Sequence, residues 1–213
     1  MYLSSVINST LESKKNKLIG RISYFHLVDI LNRAFRKNEA FKFRFERYPD
    51  IFINEYSVSG LYDMETDTKY IILNVSQECN DIEIFSEGWE QFKFSVSQVC
   101  QHEAIHQCQW MNRIDDNDEM EPLDFRYSAD SIEETQEYLS DPDEIDAYAH
   151  DIAMEIKFYY PTKNPYTILS SLHARRKIPS YNYYKHTFKN TDWTVVRKHL
   201  LKKTYRWLPF CNL

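Results

Sequence analysis

Two histidines and a glutamate near the middle of the chain form the residue pattern best suited to chemistry. The segment His102-Glu103-Ala104-Ile105-His106 places two imidazoles four residues apart. On a helix both rings point to the same face, at the separation that two ligands of one tetrahedral zinc ion require. Glu103 follows the first histidine, where a carboxylate can accept a proton from water beside the metal. The pattern therefore predicts a zinc site with His102 and His106 as ligands and Glu103 as general base.

A two-histidine zinc site needs at least one further protein ligand, and a later acidic segment supplies candidates. Ser140-Asp141-Pro142 is typical of a helix start, because an aspartate cap precedes a proline in the first turn. Glu144 lies in that first turn and is the favoured third ligand. An acidic cluster at a helix start also stabilises the helix dipole without any metal. The alternative ligands are Asp141, Asp143, Asp146 and His150.

With these two segments the sequence resembles the gluzincin metallopeptidases, in particular the compact minigluzincins. Those proteins carry HExxH on an active-site helix and a glutamate ligand in a Glu-x-x-Ala pattern on a following helix. Glu144-Ile145-Asp146-Ala147 matches the second pattern. The resemblance covers about residues 70–158, including the strand that would lie at the substrate edge of the sheet. It implies a zincin fold and peptide hydrolysis, with Zn²⁺ held by His102, His106 and Glu144.

The sequence also departs from that family. Tyr148 follows Ala147 where many members have an aspartate that supports a motif histidine, so this role falls to Asp151 or Asp146 or is missing. The HExxHxxGxxH pattern of the metzincins is absent. Amide hydrolysis further requires a group that stabilises the oxyanion. The candidates, none of them preferred, are His173, Arg175, Tyr181, Tyr183, Tyr184 and His186.

Hydrophobic periodicity predicts the elements that would position these residues. Phe41, Phe43 and Phe45 alternate with charged residues as in a half-buried strand, and further strands are expected over residues 51–62 and 69–76, joined by a hairpin loop. Helical spacing predicts helices over residues 23–37, 94–113, 141–159 and 192–207, the second capped by Ser95 or Ser97. The fold class is therefore α+β and zincin-like: a small, mainly antiparallel sheet, the HExxH helix, a second ligand-bearing helix and a C-terminal helical extension.

Composition and charge limit the partners. We expect a zincin-like metallopeptidase domain over residues 1–160 and an aromatic, basic helical extension over residues 161–213. The net charge of −6 opposes general nucleic-acid binding. Three interpretations of the basic face of the last helix stay open: a solvated surface, a binding site for a partner protein, or a contact with nucleic acid. The four cysteines form no CxxC pair, which favours reduced thiols over disulfides. Because the chain has only three glycines, its turns must use Asn, Asp, Ser and Pro instead. The acidic stretch over residues 115–124 indicates a loop.

A rival interpretation has no catalysis. Short HExxH proteins also resemble products of tailed bacteriophages, and low glycine with abundant tyrosine and asparagine is compatible with an AT-rich viral genome. The chain would then be a virion or assembly component whose zinc is structural or vestigial. No signal peptide and no run of 18 apolar residues is present, which predicts a cytoplasmic protein, in the virion or host cytoplasm if phage-encoded. The expected partners are a protein or peptide substrate and a protein that binds the C-terminal extension.

Overall fold

The computed structural model describes residues 2–36, 41–115, 131–188 and 190–211 and has the predicted α+β class. The acidic stretch predicted as a loop lies, after Asp115, outside these residues. The helices are α1 Tyr2–Glu12, α2 Lys15–Leu18, α3 Tyr24–Phe35, α4 Trp89–Asp115, α5 Ile132–Ser140, α6 Pro142–Tyr159, α7 Pro165–Ser170, α8 Pro179–Thr187 and α9 Asn190–Trp207. The strands are β1 Gly20–Ser23, β2 Phe41–Tyr48, β3 Tyr56–Asp63, β4 Thr68–Ser76 and β5 Asp81–Ile84.

The chain divides into two compact units, residues 2–107 and residues 108–213, and each contains part of α4. The predicted boundary after residue 160, between a metallopeptidase-like domain and an extension, stays a prediction. In the described part of the chain no helix is both long enough and apolar enough to cross a membrane. All four cysteines are free thiols, as predicted.

The N-terminal unit holds two small sheets. One has the strand order β2-β4-β3, with β2 parallel and β3 antiparallel to β4, and the other is an antiparallel pair of β1 and β5. The larger sheet is therefore mixed, where the sequence predicts a mainly antiparallel one. The resemblance implies an edge strand within about residues 70–158, but β4, which lies in that range, is central in this sheet and β3 lies at its edge. The physical reason is that most of β4 is buried, and a strand with an unbroken apolar run fits the sheet centre.

The predicted first helix and strand pack as expected from their patterns. Ser23 caps α3 by accepting a hydrogen bond from the backbone N–H of His26. Asn32 of α3 donates its side-chain amide to the carbonyl of Phe43 at 2.9 Å and accepts the Phe43 backbone N–H at 2.8 Å. The Asn32 amide thus satisfies the backbone of β2 at the sheet edge, and Phe35 packs on Phe43 with ring centroids 5.1 Å apart.

Polar residues replace glycine in the turns, as predicted from the low glycine content. Asn54 and Asp67 have positive φ angles of 66° and 47°, conformations that Asn and Asp tolerate better than most residues. In the β3–β4 hairpin the Asp63 carboxylate accepts the backbone N–H groups of Glu65 and Thr66. The hairpin between the predicted second and third strands is therefore confirmed, although β3 begins at Tyr56, later than predicted.

The C-terminal unit is built around α6. Asp141 caps this helix by accepting the backbone N–H of Asp143 at 2.7 Å, and Pro142 occupies the first turn, as predicted. Ala147 and Ala149 are fully buried on α6, which packs most extensively against α9. The final helix is confirmed, whereas α5, α7 and α8 belong to segments for which periodicity predicts no separate helix.

Candidate metal centre

The HExxH motif lies in the interior of α4, a 27-residue helix. The predicted helix is confirmed, but its start is wrong, because α4 begins at Trp89 and places Ser95 and Ser97 inside the helix rather than at its cap. Trp89 and Phe92 are fully buried and continue the apolar face upstream of the predicted start. The motif is therefore well away from both helix ends, where fraying is greatest.

The structure brings together the three predicted ligands. His102 is buried and His106 half-buried, and their ring centroids lie 4.9 Å apart, as four-residue spacing on a helix requires. With the buried carboxylate of Glu144 they form a group whose ligand atoms all lie within 4.8 Å of one another. Among the residues that the structure describes, this is the group of histidine, cysteine and acidic side chains that could hold a metal ion.

The donor set fits zinc. Zinc accepts histidine nitrogen and carboxylate oxygen at about 2.0–2.2 Å, and two histidines with one glutamate are a ligand set of catalytic zinc sites. The three ligand atoms lie within 4.8 Å of one another, so they could hold one such ion. Within the described residues the group has three members.

Glu103 lies tightly against the edge strand β3. A Cβ atom built on Gly60 would stand 2.2 Å from the Glu103 Oε1 atom and 2.6 Å from its Cγ atom, far inside van der Waals contact. The Glu103 side chain thus occupies the space that any larger residue at position 60 would fill. Only 4% of Glu103 is exposed, so its side chain is almost completely enclosed by protein.

A hydrogen-bonded chain ties the motif helix to the β3–β4 hairpin. Gln107, the residue after the second motif histidine, donates to the Asp67 carboxylate at 2.7 Å and accepts the Lys69 ammonium. Asp67 also accepts the Tyr62 hydroxyl at 3.0 Å. Lys69 is buried and lies over the ring of Phe41. Because Gln107 is held from two sides, the helix turn that carries His106 is fixed against the sheet.

A second set of contacts holds the turn that carries Glu144. Arg113, near the end of α4, pairs with the Asp143 carboxylate, and Gln109 donates to the Asp143 carbonyl at 3.1 Å. Asp141 caps the same turn, and burial raises the pKa of this carboxyl while the Arg113 charge opposes the rise. The first turn of α6 is therefore fastened at Asp143, the residue before the buried Glu144.

The alternative third ligands have other contacts. Asp143 pairs with Arg113, and Asp141 is a helix cap. Asp146 accepts the Trp207 indole N–H at 3.2 Å and lies 3.0 Å from the Lys203 ammonium. His150 packs edge-on against Trp207, with ring centroids 5.0 Å apart. Asp151, the other residue considered for support of a motif histidine, lies 3.8 Å from His150, and that supporting role stays a prediction.

Two of the oxyanion candidates lie near Glu144. Burial, and then the Glu144 charge, raise the pKa of Tyr183, which is 44% exposed. Tyr184 is fully buried, and burial followed by Tyr148 and Glu144 raises its pKa well above the usual range. The rings of Tyr148 and Tyr184 meet edge to face with centroids 5.2 Å apart. Tyr181, in contrast, is buried and its hydroxyl accepts the Arg197 guanidinium.

Comparison of the chain with family models, with curated proteins and with solved structures found no match.

Sequence reasoning overlooked Gly60, Gln107 and Arg113. Gly60 had a usable signal, since it is one of three glycines and interrupts a strand, which often marks a close approach by another group. Gln107 and Arg113 had no usable sequence signal, because their hydrogen-bond and ion-pair partners are distant in sequence and neither residue belongs to a recognisable motif.

Proposed function

We propose that the protein is a zinc-dependent hydrolase of peptide bonds, with His102, His106 and Glu144 as metal ligands and Glu103 as general base. The observation that carries the proposal is a three-residue ligand group, one member of which is only half-buried. Its two histidines lie on the same helix as the Glu103 carboxylate, which is packed against Gly60. Structural zinc sites are usually closed by four protein ligands, whereas catalytic sites keep a position open. Three ligands beside a carboxylate favour catalysis over a structural role.

The reaction adds water across an amide bond to give a carboxylic acid and an amine. Zinc bound by this donor set supplies Lewis acidity, which polarises a carbonyl and makes water a better nucleophile at neutral pH. Glu103 accepts the proton of the attacking water and then delivers it to the leaving amine. Its carboxylate lies against Gly60, where a larger residue would take its place, so the glycine lets the base occupy this position before substrate arrives.

An extended peptide bound along β3 fits this arrangement. β3 is an edge strand of its sheet, and edge strands bind peptides through backbone hydrogen bonds. Gly60 of β3 touches the Glu103 side chain, so a peptide paired with the middle of β3 lies close to the proposed base. The substrate class is therefore an unfolded or flexible protein segment, because a folded one cannot present an extended backbone.

Replacing Glu103 with glutamine tests the proposal. The change keeps the size of the side chain and removes the base, so the variant should keep wild-type metal content while hydrolysis falls by about 10²- to 10⁴-fold. Cleavage of unfolded casein and self-cleavage on long incubation are the assays, with metal content measured on the same samples. Glu83→Gln, a partly exposed position on β5, is the matched control and should cleave as the wild type does.

Two results would contradict this function. Equal cleavage by wild type and Glu103→Gln removes Glu103 from the mechanism. Wild-type protein that carries one zinc per chain yet cleaves neither substrate favours the rival function, a virion or assembly component with a structural zinc.

A further inference from the structure

A surface cavity in the N-terminal unit combines positive charge with an apolar floor. Its volume is about 450 Å³, within the range of small-molecule sites. It lies along one face of α3 and beside the α2 segment. The floor consists of Ile30, which is buried, and Ala34. The polar lining residues are Lys14, Lys17, His26, Asp29 and Arg33.

The charges in this cavity are unbalanced. Lys14, Lys17 and Arg33 bring three positive charges, and Asp29 brings one negative charge. Asp29 is already engaged, because its carboxylate lies 2.9 Å from the Arg33 Nε atom. Within the described residues neither Lys14 nor Lys17 forms an ion pair. The positive charges that line this cavity repel each other, although the net charge of the whole chain is −6.

We propose that this cavity binds a small organic phosphate. Asp29 holds the Arg33 guanidinium through Nε, and the planar fork of an arginine suits two phosphate oxygens at once. The two lysines add point charges that match the double charge of a phosphate monoester. The apolar floor of Ile30 and Ala34 accommodates the carbon skeleton of the ligand, which inorganic phosphate lacks. The site uses none of the residues of the proposed metal centre.

Titration of the full-length protein with phenyl phosphate and with inorganic phosphate tests this inference. Calorimetry at low and at physiological salt should show phenyl phosphate binding more tightly, because its ring reaches the apolar floor. Lys17→Gln and Arg33→Gln should each weaken binding by about 5-fold, the effect expected for one exposed charge contact. The Arg33 side chain is 77% exposed and Lys17 lies at the surface, so both variants should fold as the wild type does.

Lys163→Gln is the matched control, since Lys163 is an exposed lysine of the C-terminal unit. The inference is supported if Lys163→Gln binds phenyl phosphate as the wild type does while Lys17→Gln and Arg33→Gln bind less. Equal binding by all four proteins would show that the anion binds elsewhere and would overturn the assignment. Absence of measurable binding by the wild type, or equal affinity for the two probes, would overturn it as well.

Discussion

Replacing Gly60 with alanine should disable the proposed general base without disturbing the metal ligands. The new methyl group would stand 2.2 Å from the Glu103 Oε1 atom, whereas ordinary contacts begin at about 3.5 Å. The carboxylate must therefore move by about 1.3 Å. The backbone of Gly60 has no positive φ, so alanine itself fits the strand. The expected structural change is confined to the Glu103 side chain.

A misplacement of this size in a catalytic group costs about 10²-fold in rate, or about 2.7 kcal/mol of transition-state stabilisation. We therefore expect kcat/KM for peptide hydrolysis to fall about 100-fold while zinc content stays at the wild-type level. Gly88→Ala is the control, because its Cβ atom would meet its nearest neighbour, the carbonyl of Phe85, at an ordinary 3.6 Å. That variant should keep full activity.

A double variant separates this explanation from a general loss of stability. If Gly60→Ala acts only through the carboxylate, adding it to Glu103→Gln should cause little further loss of activity. Full activity of Gly60→Ala with normal metal content would refute the role given to Glu103. Loss of zinc in Gly60→Ala would instead show that the strand supports the ligands.

Three further outcomes test the neighbourhood of the third ligand. Glu144→Gln should lower zinc affinity by at least about 100-fold in chelator competition, whereas Asp146→Asn should not. A larger loss of affinity in Asp146→Asn than in Glu144→Gln would show that Glu144 is not the third ligand. Arg113→Gln removes the partner of Asp143, so it should weaken zinc binding by about 10-fold and alter the visible spectrum of the cobalt-substituted protein. An unchanged zinc affinity would exclude a positioning role for Arg113. Tyr184→Phe should raise the free energy of unfolding by about 1 kcal/mol, because the buried hydroxyl has no hydrogen-bond partner among the described residues. Denaturant titration measures this change, and a lower free energy of unfolding in the variant would contradict the prediction.

The local features of the site could be predicted from the sequence because they depend on spacing along one element. Four-residue spacing on a helix suffices to bring His102 and His106 onto one face, and an aspartate followed by proline is enough to begin α6 at Pro142. Alternation of Phe41, Phe43 and Phe45 likewise determined β2. In each case the physical cause acts over a few residues, so the pattern is visible in the printed chain.

Strand order and side-chain neighbours were decided only by the tertiary structure. Whether β3 or β4 lies at the sheet edge depends on which strands pair, and that pairing is set by packing over the whole sheet. Glu144 groups with the histidines, while Asp143 pairs with Arg113 and Asp146 with Lys203. These partners are distant in sequence, so the printed chain does not show which acidic residue joins the histidines. Gly60 is the clearest case, since its role is to leave space for the side chain of Glu103, 43 positions away. The missing Cβ atom of a glycine matters only where another side chain fills its place, and the sequence does not show which side chain that is.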